Sequence, residues 1–200
     1  MSDETFGSIS PVLTIEPFLG YRVWRLVPRM GEPVLASSTS GDPWLGPEVE
    51  ASCFAEVLLQ PLERRVVSDR HRTEVSPALD CTCGLYASRT PMSPPHRRVW
   101  ATGRVRLWGR VIEGTRGFRA QRARVIDDVQ IYLGMGPGPP RCTLPPCRDA
   151  ATGVWAGSTS FLSRCDRHDR DRAMRFGEFE AWVDSSFRRR YGIGATLASR

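Results

Sequence analysis

Six cysteines and three histidines in this 200-residue chain have side chains suited to holding a metal ion. Three cysteines and one histidine fall late in the sequence, as Cys142-x4-Cys147-x17-Cys165-x2-His168. Zinc takes four nitrogen or sulfur ligands at the corners of a tetrahedron. A short cysteine loop can offer two thiolates from one turn, and a Cys-x2-His pair can offer two more ligands from the first turn of a helix. The 17 residues between the pairs suffice for a hairpin that brings them together. The chemistry expected is structural, because four protein ligands close the sphere, whereas a catalytic zinc keeps one position for water. A segment this small buries little core, so a metal there would supply on the order of 10 kcal/mol of its folding free energy.

The other three cysteines form a looser set, Cys53-x17-His71-x9-Cys81-x-Cys83, with His71 as candidate fourth ligand and His96 as its alternative. Cys-x-Cys is a poorer metal spacing than Cys-x2-Cys and needs a turn, which Gly84 could supply. Spacing alone leaves two readings open, a second zinc site or buried free thiols.

Other chemistries lack their residues. All 28 cationic side chains are arginine and none is lysine, which excludes a Walker-type phosphate loop and a Schiff-base amine. The H-x-E and P-C-x-x-C signature of zinc deaminases is missing, as is the HExxH of a metalloprotease. Three histidines, one already a metal candidate, leave no serine triad to propose. Asp127-Asp128 reads as a solvated strand end. The chain is therefore not expected to be an enzyme, and no small-molecule substrate is predicted.

Hydrophobic residues at 40% and charged residues at 25% are a globular composition. At about 150 residues per domain the length fits one domain plus a small second one. No window approaches the ~18 uninterrupted apolar residues of a membrane span. The start, Met-Ser-Asp-Glu-Thr-Phe-Gly-Ser, is acidic and polar, unlike a secretory signal. The expected compartment is cytoplasmic, where cysteines serve as thiols or ligands rather than disulfides.

The elements that must position the ligands follow from periodicity. Residues 1–19 read as a flexible arm. Tyr21–Val27 alternates as a strand, 36–47 reads as loop around Trp44, Ala51–Leu62 as a short helix, and Leu85–Ala87 as a short strand. Residues 98–113 are the clearest strand signal, with glycines at 103 and 109 that would permit a bulge. Phe118–Ile126 alternates apolar and cationic residues, as a strand with an arginine-lined face or, alternatively, a helix. The run GMGPGPPR at 134–141 denies helix and strand and is placed as a linker rather than a dinucleotide loop. Beyond it, Val154-Trp155 and Phe161-Leu162 read as a hairpin turned near Gly157. Residues 169–190 read as an amphipathic helix with Phe176, Phe179, Val183 and Phe187 on one face and Trp182 widening it, ended by Gly192 and Gly194. The expected class is α+β: a mainly β domain over 20–133, then a small zinc module over 142–200 with a C-terminal amphipathic helix.

Two resemblances add to this reading. Loop, hairpin and a helix carrying the last two ligands is the order of a treble-clef zinc finger, which residues 140–190 resemble. The Cys-x4-Cys loop is wider than usual in that family. Residues 20–126 resemble a group of small uncharacterised proteins of actinobacteria and their phages. The likeness rests on Trp44-x-Gly46-Pro47, Glu50-Ala51-x-Cys53, Cys81-x-Cys83-Gly84-Leu85-Tyr86-Ala87, Gly103-x-Val105-x-Leu107-Trp108-Gly109-x-Val111-x-Glu113 and Gly117-Phe118-Arg119-Ala120. In that group a histidine precedes an Ala-Pro pair ahead of the Cys-x-Cys, whereas this chain has Ser76-Pro77 with His71 further back. The resemblance carries no activity, but implies that the cysteines act as a unit.

Net charge +6, the run Arg188, Arg189 and Arg190, the pair Arg170 and Arg172, and Arg104, Arg106, Arg119, Arg122 and Arg124 supply a cationic footprint for nucleic acid, either DNA or structured RNA. Treble-clef modules often bind nucleic acid or sit in ribosomal and transcription machinery, and the resemblance implies such a partner here. The alternatives are a zinc-stapled adapter for a protein of the transcription or translation machinery, and an enzyme with an unrecognised site.

Overall fold

A computed structural model describes residues 12–13, 16–51, 54–56, 65–67, 76–79, 81–94, 99–133, 140–158, 160–169 and 173–198. Its elements, in chain order, are β1 (Val12–Leu13), β2 (Phe18–Arg29), β3 (Glu32–Ser37), β4 (Glu48–Glu50), β5 (Phe54–Glu56), β6 (Arg65–Val67), β7 (Leu85–Ser88), β8 (Val99–Glu113), β9 (Gly117–Val125) and β10 (Val129–Leu133). After these come β11 (Gly153–Ala156), β12 (Phe161–Arg164), α1 (Asp166–Asp169), β13 (Met174–Arg175), α2 (Phe176–Tyr191) and β14 (Ala195–Leu197). The architecture is mostly β with a few helical segments, consistent with the α+β class.

The described residues fall into two compact units that interleave along the chain. One draws on 1–21, 48–91 and 105–124, the other on 22–47, 92–104 and 125–200. The division expected at 134–141 is linear, and residues 134–139 lie outside the described set.

In the first unit β9 is the central strand. It pairs antiparallel with β7 (Leu85↔Ala120) and with β4 (Glu48↔Arg124), and also pairs with β8. Val105, Leu107, Val111, Phe118, Ala120 and Ala123 are buried, so the apolar residues of both long strands supply the core. The buried positions of β9 shift phase after Ala120, from 118 and 120 to 123 and 125. Opposite this shift Gly109 adopts φ 78, and the Gln121 side-chain oxygen accepts the Arg110 N–H at 3.2 Å. The positive φ favours glycine there, and a Cβ would also displace the end of the Gln121 side chain, whose oxygen would stand 2.6 Å away. Val12–Leu13, inside the expected arm, pairs antiparallel with β8 at Val111 and Arg110. Phe54–Glu56, inside the expected helix 51–62, is a strand paired with Arg65–Val67, where two valines favour extended backbone.

In the second unit β14, β10, β8, β2 and β3 lie side by side in that order. The β2–β3 hairpin sets Leu26 against Leu35 and turns at Met30-Gly31, both at positive φ. β10 runs antiparallel to β8 and parallel to β14, with Val129 beside Ala195. The core centres on Trp24 and Trp44, whose rings meet edge to face at 5.4 Å, and on Val34, Leu35, Phe187 and Tyr191. The Tyr191 hydroxyl donates to the Trp44 carbonyl at 2.6 Å and accepts the Leu35 N–H at 3.1 Å, which ties the end of α2 to β3.

The later part of this unit holds the expected hairpin. β11 and β12 pair antiparallel (Trp155↔Leu162), and Gly157 N–H donates to the Ser160 carbonyl across the turn. β13 adds a third strand on the far side of β11. The long helix begins at Phe176 rather than at 169, because Arg175 and Met174 pair as strand with Gly153 and Val154. Glu178 accepts the Arg175 N–H at 2.9 Å and places an anion in the first turn, where the helix dipole favours it. Phe179, Val183 and Phe187 are buried as the helical spacing predicted, and Gly192 in the left-handed conformation caps the C-terminus.

Candidate metal centre

The first two candidate ligands stand on a folded-back loop. Arg141 and Ala150 bridge its base, and Ala151 N–H donates to the Pro140 carbonyl at 2.8 Å. Inside it, Cys142 N–H donates to the Asp149 carbonyl at 3.0 Å, and Cys147 N–H closes a turn on the Leu144 carbonyl at 2.8 Å. The loop is fastened to β12 by Thr143, whose N–H and hydroxyl both donate to the Ser163 carbonyl, at 3.0 and 3.1 Å. The half-way prolines, Pro145 and Pro146, bring the two cysteines back towards each other across the turn.

The second pair follows the hairpin directly. Cys165 is the first residue after β12, and His168 lies in the single turn of α1, its N–H bonded to the Cys165 carbonyl at 3.0 Å. The last two ligands are thus carried by this short turn, not by the long helix as expected. Asp166 holds the turn in place, accepting from Thr152 Oγ1 and from the Arg175 guanidinium, each at 2.8 Å.

Loop and turn bring all four side chains together. The three Sγ atoms and a ring nitrogen of His168 lie within 4.8 Å of one another, a group that could hold a metal ion. His168 Nδ1 stands 3.3 Å from Cys165 Sγ and 3.6 Å from Cys142 Sγ, and Cys147 Sγ stands 3.7 Å from Cys165 Sγ. No sulfur is bonded to another among the described cysteines. Cys142 and Cys165 are buried, while Cys147 and His168 are half-buried.

No family model, no curated protein and no solved structure matches the chain.

The thiols do not titrate independently. Burial raises Cys142, but the backbone N–H groups of Leu144 and Cys165 and the His168 ring outweigh it and bring the thiol down to about 7. The Asp149 N–H lowers Cys147, but burial and the neighbouring Cys165 and Cys142 sulfurs push it up to about 11. The first proton thus leaves easily and the next leaves against a thiolate already in place. A cation among the sulfurs relieves that repulsion, as a thiolate–metal centre does. Asp149 approaches Cys165 at 4.0 Å, and Arg167 pairs with Asp149 at 3.5 Å on the outer side.

The earlier cysteine set is described only in part, because Cys53, His71 and His96 lie outside the described residues. Cys81 and Cys83 are half-buried in the turn before β7. Arg119, expected to face a nucleic acid, instead turns its guanidinium onto this turn. It donates to the carbonyls of Ala78 and Cys83, at 3.3 and 3.2 Å, and to that of Cys81.

Six of the remaining candidate arginines are held in ion pairs. In the second unit Arg104 pairs with Asp127, and Arg188 with Asp184 at 2.8 Å. Arg189 and Arg190 converge on Glu32, Arg190 at 2.7 Å, and hold its carboxyl below the usual range. In the first unit Arg122 pairs with Glu50 at 3.5 Å and Arg124 with Glu48 at 3.3 Å, and Arg106 is exposed on β8. Arg170 and Arg172 lie outside the described residues. Asp127 and Asp128 do not form a site: the first pairs with Arg104, and the second accepts the Gly194 N–H at 2.6 Å.

Sequence reasoning missed the roles of Arg119 and Tyr191. Neither has a local signal, since their partners lie 36 to 41 and 147 to 156 residues away. Among the described residues, no helix is long and apolar enough to cross a membrane.

Proposed function

We propose that the chain is a non-enzymatic zinc protein in which Cys142, Cys147, Cys165 and His168 hold one structural zinc and staple a treble-clef-like module. The observation that carries this is the set of ligand edges. Zinc–sulfur bonds of about 2.3 Å give tetrahedral sulfur–sulfur edges of about 3.8 Å and slightly shorter sulfur–nitrogen edges. The 3.7 Å sulfur pair and the 3.3 and 3.6 Å sulfur–nitrogen pairs match that figure. Three thiolates favour zinc over hard cations such as magnesium or calcium. The sphere is full, so the metal organises backbone rather than activating water. The test is elemental analysis of the purified protein beside a Cys147→Ser variant. One zinc lost on that substitution supports the reading, and an unchanged zinc content rejects it.

We infer nucleic acid, DNA or structured RNA, as the partner, supported by the net charge of +6 and by the treble-clef-like order of elements. A protein adapter role is the second reading, favoured by the ion pairs that engage Arg104, Arg122, Arg124, Arg188, Arg189 and Arg190. Binding to duplex DNA and to a structured RNA at several salt concentrations separates the two. Phosphate contacts give an affinity that falls steeply with salt, whereas an adapter shows no binding to either.

A further inference from the structure

The β2–β3 hairpin turns on two residues, Met30 at φ 51 and Gly31 at φ 74. Positive φ at both central positions defines the type I′ turn, which selects Asn, Asp or Gly at the first of them. Methionine gains nothing from that backbone, because the left-handed region crowds its Cβ and its side chain cannot bond the turn as Asn does. Packing does not account for it either. Met30 is 96% exposed, the most exposed large apolar side chain among the described residues. Directly below, Pro28 and Pro33 face each other across the ladder, and their fixed φ stiffens the ribbon. A stiff ribbon thus holds one apolar side chain out in water at its tip.

Cations collar this tip. Arg29 is exposed and lies across the ladder from Glu32. One Glu32 oxygen binds Arg189 and the other binds Arg190, the latter at 2.7 Å. The Arg190 guanidinium also donates to the Leu45 carbonyl at 3.3 Å, which fixes its direction. Three arginines therefore stand against one carboxylate, and two of them already hold a pair of anionic oxygens as a guanidinium holds a phosphate.

We propose that the β2–β3 tip and the end of α2 form one surface for duplex DNA, with Met30 wedged between base pairs from the minor groove and Arg29, Arg189 and Arg190 on the flanking phosphates. The proposal rests on the nucleic-acid reading above. Apolar wedges of this kind part a base step and kink the duplex. A single side chain on a narrow tip suits a base step, whereas binding to a membrane surface scales with the apolar area buried. Duplex RNA is the poorer fit, since its minor groove is wide and shallow. On binding, phosphate oxygens take the place of the Glu32 carboxylate on the two guanidiniums.

The experiment uses the full chain and a short DNA duplex carrying a fluorescent donor at one end and an acceptor at the other. Wild type is expected to raise energy transfer as it kinks the duplex. Met30→Asn suits a type I′ turn better than methionine does, so the hairpin stays folded, which thermal unfolding checks. That variant is expected to bind the duplex with the rise in energy transfer lost. Arg29→Gln is expected to lower the salt slope of binding by about one. Wild-type binding without a change in energy transfer, or Met30→Asn bending the duplex as wild type does, overturns the wedge and leaves the nucleic-acid reading standing. Binding to an RNA hairpin alone, or to phosphatidylserine vesicles but not to the duplex, overturns the assignment to duplex DNA. Binding to neither nucleic acid overturns the proposal together with the reading on which it rests.

Discussion

The sulfurs of Cys147 and Cys165 lie 3.7 Å apart and unbonded, although 17 residues and a hairpin separate them in the chain. That distance is a ligand edge when a metal is shared and an invitation to oxidation when it is not. With the metal stripped, mild oxidant is expected to link Cys147 to Cys165, and zinc-loaded protein to keep both thiols free. Peptide mapping after oxidation reads the outcome. Acid is expected to release the metal, since protons compete for three thiolates and an imidazole, and a zinc-dye assay across pH 4–8 should show release on the acid side only.

Tyr191 connects helix and strand through two buried hydrogen bonds, so Tyr191→Phe leaves the Leu35 N–H and the Trp44 carbonyl without this partner. A loss of about 1–3 kcal/mol in denaturant unfolding is expected. Burial raises the phenol from 10.0 to about 12, with smaller opposing effects from the Leu35 N–H and Arg190. Its folded value therefore lies above its unfolded one, and the folded state resists ionisation. The stability it lends is whole below pH 10 and falls as pH climbs from 10 towards 12. The gap between wild type and Tyr191→Phe should narrow across that window, and a gap constant in pH would count against the assignment.

Phe161 joins the hairpin to the helix, its ring 5.3 Å from Phe179 and 5.8 Å from Trp182. Truncating it to alanine in zinc-loaded protein is expected to cost about 3–5 kcal/mol. Calorimetry with excess zinc measures this apart from any change in metal content.

Gly153 sits where β11 meets β13, and a Cβ there would stand 2.4 Å from the Met174 backbone oxygen. Gly153→Ala is expected to push β13 away and loosen the Arg175–Asp166 pair that steadies the His168 turn. Weaker zinc retention against a chelator is the readout. Retention equal to wild type would separate the strand pairing from the metal.

Glu32 occupies Arg189 and Arg190 together. If these arginines meet phosphate, Glu32→Gln should raise nucleic-acid affinity and steepen its salt dependence by about one to two counterions. Changing Arg188, Arg189 and Arg190 to glutamine should do the reverse. Filter binding of both variants at several salt concentrations tests the pair, and indifference to both changes would favour the adapter.

The Cys142, Cys147, Cys165 and His168 group was legible because its spacing is local: one pair lies in a single loop, the other spans one short turn, and the hairpin between them carries its own alternation. The stripe Phe179, Val183, Phe187 was legible for the same reason. The start of the helix was not, since Met174-Arg175 becomes strand only by meeting Gly153 and Val154, about twenty residues earlier. The pairing of the arginines was hidden for a stronger version of that reason. Glu32 stands 157 residues from Arg189 in sequence, and nothing in an arginine's neighbours says which acid it will meet.

Val129 and Ala195 are neighbours in space though 66 positions apart, because β14 returns to lie along β10. The described residues between β10 and β14, the Cys142, Cys147, Cys165 and His168 group included, are therefore flanked by two strands that lie side by side. The segment does not stand alone for all that: the Tyr191 hydroxyl near its end bonds the Leu35 N–H and the Trp44 carbonyl, so cutting it out would leave both groups without that partner.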